Sequence, residues 1–472
     1  MNFRSMISDV TRLFRQNLEE LLRDNAPGEW DSRRFTDFVA GLKAAVNEAG
    51  RVVLEEAIAA AEVVGELIEY EGREYRFKQG AMKTWLSPFG RVSVERRYYR
   101  PVGGRGEGVC PIDIRCGMED RFLMPDVEEL VTYGSAHMVP SEVSRYLSKI
   151  LPEAPSSTAI QRSLKDVGNF LAEQEEAIEE RISQEAPLSS EGDALVVSMD
   201  GVTVPVREAG RKRGRPAERP GVRDDDESRI SWREAGVGTV SVYQSPERKD
   251  ERPICVDKRY FARMPEPHMS GLFARQGQVL EEILRDYSFS EKAVICDGKR
   301  SLWDSVDEIK CLEGAVRILD FYHAAEHLSK ASEALFGKKS ESGKRWYTKY
   351  RAKLRDEDGG ITAVIRSIRY YTKELSPRSA RLKDAKRELS YFVRNREKMD
   401  YASYRRRGLP IGSGPVEAAC KTVVGARLKR SGMMWSNEGG QQILDIRTLV
   451  LSDRWDVAWQ EYLDSRIGCV AA

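Results

Sequence analysis

The 472-residue chain has no apolar run approaching the roughly 18 uninterrupted residues of a membrane helix, so a helical membrane protein is not expected. Its first stretch, MNFRSMISDVTRLFRQ, lacks an apolar segment followed by a small-residue cleavage site, and a reducing, cytoplasmic setting is the expectation. Cysteines are few and odd in number, seven spread from Cys110 to Cys469, which argues against a disulfide framework. No internal repeat is present. What remains is an ordinary globular profile, 41% apolar and 32% charged, in a chain long enough for two to four folding units.

A net charge of +1 conceals an asymmetry: residues 1–200 carry −11 and residues 201–472 carry +12. The excess concentrates in residues 341–410, with 20 basic and 9 acidic side chains. A local basic patch suffices for counterion release from a polyanion, although salt-bridged, solvated helices have the same composition.

Regular spacing of Ala, Val, Leu and Glu predicts helices over 1–68. Short aromatic and β-branched segments with turns at Glu71-Gly72 and Ser87-Pro88 predict a small antiparallel sheet over 69–117. Residues 118–190 return to helix. Here a turn at Pro152–Ser157, with Ser156 or Ser157 as cap, separates two helices, either a helix-turn-helix offering Gln161, Arg162 and Lys165 to a DNA groove or a plain helical hairpin. Five strand candidates follow within 191–323: ALVVSMDGVTVPV, ISWREAGVGTVSVY, KRYFARM, KAVICDG and GAVRILD. Helices from about Leu272 to Tyr287 and about Ser301 to Ile309 precede the last two strands. Three strands on short connections, then two alternating with helices, predict a mixed sheet in RNase H-like order. The polar segment 207–229 between the first two strands reads as a mobile loop. Residues 324–410 read as a basic all-α insertion, and 411–472 as the last part of the core with further helices. The fold class expected is therefore α+β multidomain.

Asp200 ends an apolar run, as does Asp297, and each precedes a glycine. An Asp-Gly after a strand is commonly a turn, yet two such strands lying side by side would bring both carboxylates together. Glu417, in IGSGPVEAAC, is the best third acid. Its plainer reading is a helix start with Gly414 as N-cap, Pro415 first and Glu417 third. Three such oxygen donors suit Mg²⁺, or a pair of divalent ions, at a phosphodiester.

The segments VVSMDGV, GVGTVSVY, RYFARMPEP, AVICDGKRSLWD, ILDFYHAAEHL and PIGSGPVEAACKTVVGARLKRSGMMWS carry a resemblance. Over about residues 120–460 the chain resembles bacterial insertion-sequence transposases with an acidic triad, closest to the ISKra group and more distantly to Mutator-like enzymes. The resemblance implies Asp200, Asp297 and Glu417 as triad and metal ligands for two Mg²⁺ or Mn²⁺ ions. It also implies Asp320 and His323 as auxiliary residues. The implied activity is strand cleavage and strand transfer at terminal inverted repeats, on double-stranded DNA, by at least a dimer associated with the nucleoid. Unlike relatives with paired Cys-x-x-Cys knuckles, the chain holds only Cys110 and Cys116 in this region, so a four-cysteine zinc site is not expected there and both thiols should be buried or idle.

Lys421, Arg427, Lys429 and Arg430 follow Glu417 on one helical face suited to phosphates, with Arg405, Arg406 and Arg407 adding charge. Trp435 is suited to stacking on an unpaired base or to a core position. A rival reading takes His323-x-x-Glu326-His327 as an inverted zinc-protease motif, with two histidine ligands and a glutamate base. A third takes the chain as a silent, transposase-derived DNA-binding protein.

Overall fold

The structure, a computed structural model, describes residues 3–25, 30–104, 106–207, 231–246, 248, 251–468 and 470. The loop expected at 207–229 lies outside these apart from Arg207. The chain divides into two compact units, residues 1–178 with 456–472, and residues 179–455.

In the first unit, α1 (Phe3–Asp24) packs on α2 (Ser32–Ala60), whose start Asp31 caps by accepting from the amides of Arg33 and Arg34. Strands β1 (Leu67–Tyr70), β2 (Arg73–Ser87) and β3 (Gly90–Pro101) form an antiparallel meander. Its first turn places Glu71 and Gly72 at φ 51° and 70°, the left-handed pair that a tight hairpin requires. Trp85, Val92 and Val94 close one face over Ile58 of α2 and Ile112 of α3 (Pro111–Arg115). Helices α4 (Pro125–His137), α5 (Pro140–Leu147) and α6 (Ser157–Glu173) follow, and the division between the units falls within α7 (Glu175–Glu185), after Ile178. Ser156 caps α6, which buries Ile160, Leu164, Val167 and Leu171 and exposes Gln161, Arg162 and Lys165.

The second unit holds β4 (Ala194–Val206), β5 (Ser231–Gln244), β6 (Ile254–Arg263), α8 (Ser270–Asp286), β7 (Glu291–Cys296), α9 (Arg300–Val306) and β8 (Val316–Leu319). These form a mixed sheet in the order β6-β5-β4-β7-β8, antiparallel from β6 to β4 and parallel from β4 to β8. Because strand side chains alternate, Leu195, Val197 and Met199 face Leu272 and Leu280 of α8 and Trp303 of α9, while Ala194 and Val196 face the opposite cluster. That second cluster is roofed by α10 (Phe321–Phe336), α11 (Glu341–Asp356), α12 (Gly360–Thr372), α13 (Ala380–Asn395) and α14 (Tyr401–Arg406). Then come α15 (Gly414–Ala419), a π-helical turn (Cys420–Gly425), α16 (Ala426–Leu428) and α17 (Asn437–Leu451).

The last helix, α18 (Trp455–Asp464), corrects the expectation that 411–472 belongs wholly to the core. Residues 456–472 join the first unit because the buried Glu128 accepts from Tyr462 at 3.1 Å and Arg466 at 2.6 Å, as well as from Arg121 at 2.6 Å and Ser163 at 3.2 Å. No helix among the described residues is long and apolar enough to cross a membrane.

Candidate functional site

In the parallel register of β4 and β7, Met199 pairs with Cys296, so Asp200 and Asp297 are the next residue of each chain segment. Both are half-buried. Asp297 Oδ1 accepts from the Lys299 amide at 2.8 Å, and its carbonyl accepts from the Trp303 indole at 2.7 Å, which fixes the turn into α9. Asp200 Oδ1 accepts from the Gly201 amide at 2.7 Å, and Oδ2 takes the thiol of Cys420 at 3.6 Å. Burial, with the nearby charges of Asp297 and Glu234, raises the Asp200 carboxyl above its usual range against the pull of those donors. The Cys296 thiol, fully buried behind Asp297, is pushed up to about 12 by that burial and stays neutral.

Glu417 is exposed on α15, which packs against β4 and β5. The helix starts one residue earlier than expected: Ser413 is the N-cap and accepts the Glu417 amide at 3.0 Å, so Glu417 is fourth rather than third. Partial burial, Asp320 and Asp200 raise its carboxyl, while Lys421 opposes the rise. Beyond it the helix widens into the π turn. Arg447 of α17, buried at 4% exposure, donates to the carbonyls of Val423 at 2.6 Å and of Thr422 inside that turn. A π turn leaves backbone carbonyls displaced from the α pattern, and Arg447 satisfies two of them. Burial lowers Arg447 to about 10, which still leaves it charged at neutral pH.

Asp320 caps α10 through the His323 amide at 2.7 Å and accepts both the amide and the hydroxyl of Ser413, at 2.6 and 2.9 Å. It is 2% exposed, a clasp between the start of α10 and the start of α15. His323 and His327 lie one turn apart, ring centroids 5.1 Å. His327 stacks on Tyr391 at 3.6 Å and its Nδ1 meets Glu388 at 2.6 Å. Burial raises Glu388, but hydrogen bonds from His327 and Arg387 outweigh it and hold the carboxyl low. Glu326 is exposed. Gly298 makes room for Tyr391, since a β-carbon there would fall 2.6 Å from its ring. Among the described residues no three His, Cys, Asp or Glu side chains converge as a metal-binding group; the Asp200 oxygens are turned to Gly201 and Cys420 instead.

The basic residues expected at DNA separate into two groups. Lys421 and Lys429 are exposed and Arg430 is half-buried. Arg427 is corrected: it is 1% exposed and lies over the Trp435 ring at 5.1 Å. The π turn shifts the phase of the helix, so spacing from Glu417 no longer puts Arg427 outside. Trp435 is half-buried, its indole donating to the Leu428 carbonyl at 3.0 Å and its backbone bridging to β4 through Pro205 and Arg207. Arg405, Arg406 and Arg407 pair with Asp356, Asp358 and Glu291, at 2.5, 2.7 and 2.5 Å. Cys110 is buried and Cys116 exposed.

Three residues near the acids escaped sequence reasoning. Glu234 faces Thr203 across the β4–β5 pair and ion-pairs with Lys299; Cys420 bonds Asp200. Only the register of β5 signals Glu234, and no motif signals Cys420.

No profile of a known protein family matches the chain, and no curated protein matches it. Among solved structures it is similar to the Drosophila P element transposase strand transfer complex, at 12% identity and a TM-score of 0.25, covering 75% of this chain and 86% of that one. At that score the likeness assigns neither fold nor activity to this chain.

Proposed function

We propose that the second unit is an RNase H-like catalytic core and that the chain is a DNA transposase, cleaving and joining strands at the ends of an insertion sequence. The observation that carries this reading is the placement of Asp200 and Asp297 directly after the paired Met199 and Cys296 of two neighbouring parallel strands, with Glu417 on the helix laid across β4 and β5. The strand order, three antiparallel then two parallel, supports the core assignment.

Three carboxylates on neighbouring elements, two of them held above their usual range, are oxygen donors of the kind hard divalent cations take. Asp200, Asp297 and Glu417 would hold Mg²⁺ or Mn²⁺, two ions in the full site. Bound there, such ions supply a nucleophile at neutral pH and stabilise a leaving oxygen. The chain's own residues orient the acids: Lys299 and Trp303 set the Asp297 turn, Ser413 and Asp320 set the start of α15, and Arg447 sets the turn after it. Exposed Lys421 and Lys429 supply phosphate contacts beside Glu417. The unit would act as part of a dimer or larger assembly, since two DNA ends must be joined.

The zinc-protease reading has less support, because it gives no task to Asp200 and Asp297, directly after the paired residues of two neighbouring parallel strands, and its base, Glu326, is exposed. Titration of Mn²⁺ followed by electron paramagnetic resonance tests the proposal. Bound Mn²⁺ should fall away in Asp200→Ala and Asp297→Ala and persist in His323→Ala; the reverse pattern rejects it.

A further inference from the structure

A cavity of about 460 Å³ opens in the second unit beside the start of α15. Its volume lies within the roughly 300–1,000 Å³ typical of small-molecule sites. Two chemistries line it. Arg252, Arg351, Arg355 and Arg405 supply cationic groups, and Tyr322 supplies an exposed aromatic face beside the buried Phe321. Glu251 is the one acid in the lining.

The arginines are not equivalent. Arg355 and Arg405 share Asp356, at 2.8 and 2.5 Å, which holds their guanidinium groups together at the wall. Arg351 is half-buried over the Phe321 ring at 5.1 Å, and among the described residues no carboxylate pairs with it or with Arg252. Tyr322 is 47% exposed although it belongs to a helix start whose neighbour Phe321 is 2% exposed. Its ring lies against the backbone of Gly412, where a β-carbon would come within 2.8 Å of the ring. An exposed aromatic face seated on a glycine, with unpaired guanidinium groups alongside, matches a planar base carrying a phosphate.

Position selects the source of that ligand. Gly414 and Pro415 form part of the lining and belong to α15, which bears Glu417; Tyr322 lies between the clasp residue Asp320 and His323. We infer that this cavity receives one unpaired nucleotide of the DNA strand adjoining the bond at the acids, its base on Tyr322 and its phosphate on Arg351 and Arg252. This assignment rests on the reading of the acids as a DNA-acting site.

The experiment compares binding of a blunt duplex with the same duplex carrying one unpaired terminal nucleotide, in EDTA so that nothing is cut. The intact protein should prefer the unpaired end by about tenfold, the scale of one base stack. Tyr322→Ala and, separately, Arg351→Ala should reduce that preference to within about twofold, while Tyr322→Phe, which keeps the ring, should retain it. Asp200→Ala should also retain it, which separates this pocket from the metal reading. Equal affinity for both duplexes, or full preference in Tyr322→Ala and Arg351→Ala, overturns the inference. Displacement of the unpaired-end duplex by free deoxyadenosine monophosphate at comparable affinity overturns the DNA source and assigns the pocket to a free nucleotide.

Discussion

Asp200 and Asp297 directly follow the paired residues Met199 and Cys296 of two parallel strands, and the charge of Asp297 contributes to lifting the Asp200 carboxyl. Folding thus disfavours ionised Asp200. The penalty is in force above the raised folded value and fades as pH falls through it to the unfolded value near 4. Asp200→Asn should therefore raise Tm at neutral pH, with the gain narrowing as the buffer approaches pH 4. Each 1 kcal/mol relieved would read as roughly 2–4 °C in a unit of this size. An unchanged or lower Tm at neutral pH contradicts the placement.

Arg447 joins α17 to the π turn after Glu417 through two carbonyls. Arg447→Met would leave both carbonyls unpaired in a buried setting, at about 1–3 kcal/mol each. Chemical denaturation should show a loss of about 2–6 kcal/mol. Hydrogen exchange should show the 420–428 amides losing protection first. A neutral substitution would mean that the turn is held by packing alone.

Glu128 gathers Arg121, Ser163, Tyr462 and Arg466 around one buried carboxylate. Removing it strands two arginines. Glu128→Ala should cost about 3–5 kcal/mol, as expected for breaking a buried ionic cluster, and should release 456–466 to exchange. A loss below about 1 kcal/mol, the level of surface pairs, would count against this account of how the carboxy terminus is held.

Exposed and buried cations near Glu417 should behave differently on DNA. Lys421→Ala and Lys429→Ala should each flatten the dependence of log affinity on log salt by about 0.9. Arg427→Ala should leave that slope alone and lower stability, since Arg427 is buried over Trp435. A slope change in Arg427→Ala equal to that of Lys421→Ala would return it to the DNA surface.

Much of the second unit was legible because each strand is a short apolar run between breakers: Ala194–Val206 reads directly as ALVVSMDGVTVPV, and the α8 pattern is unambiguous. The placement of Asp200 and Asp297 just beyond the parallel pairing of adjacent strands followed from strand order. The phase after Glu417 did not, because residues 417–430 read as one continuous helix and only the distant Arg447 marks the π turn. Glu234 was hidden for a similar reason: its approach to Asp200 depends on strand register. The attachment of α18 was equally unreadable, since Glu128 and Arg466 lie 338 residues apart in the chain.

The most direct measurement is cleavage of a supercoiled plasmid carrying the ends of the chain's own element, with Mg²⁺ or Mn²⁺, by the intact protein, Asp200→Ala, Asp297→Ala and Glu417→Ala. The account predicts metal-dependent nicking at those ends that each substitution lowers by more than about 10²-fold, the scale for removing one key electrostatic contact, with DNA affinity largely retained. Undiminished nicking by the Asp200→Ala and Asp297→Ala proteins would contradict it.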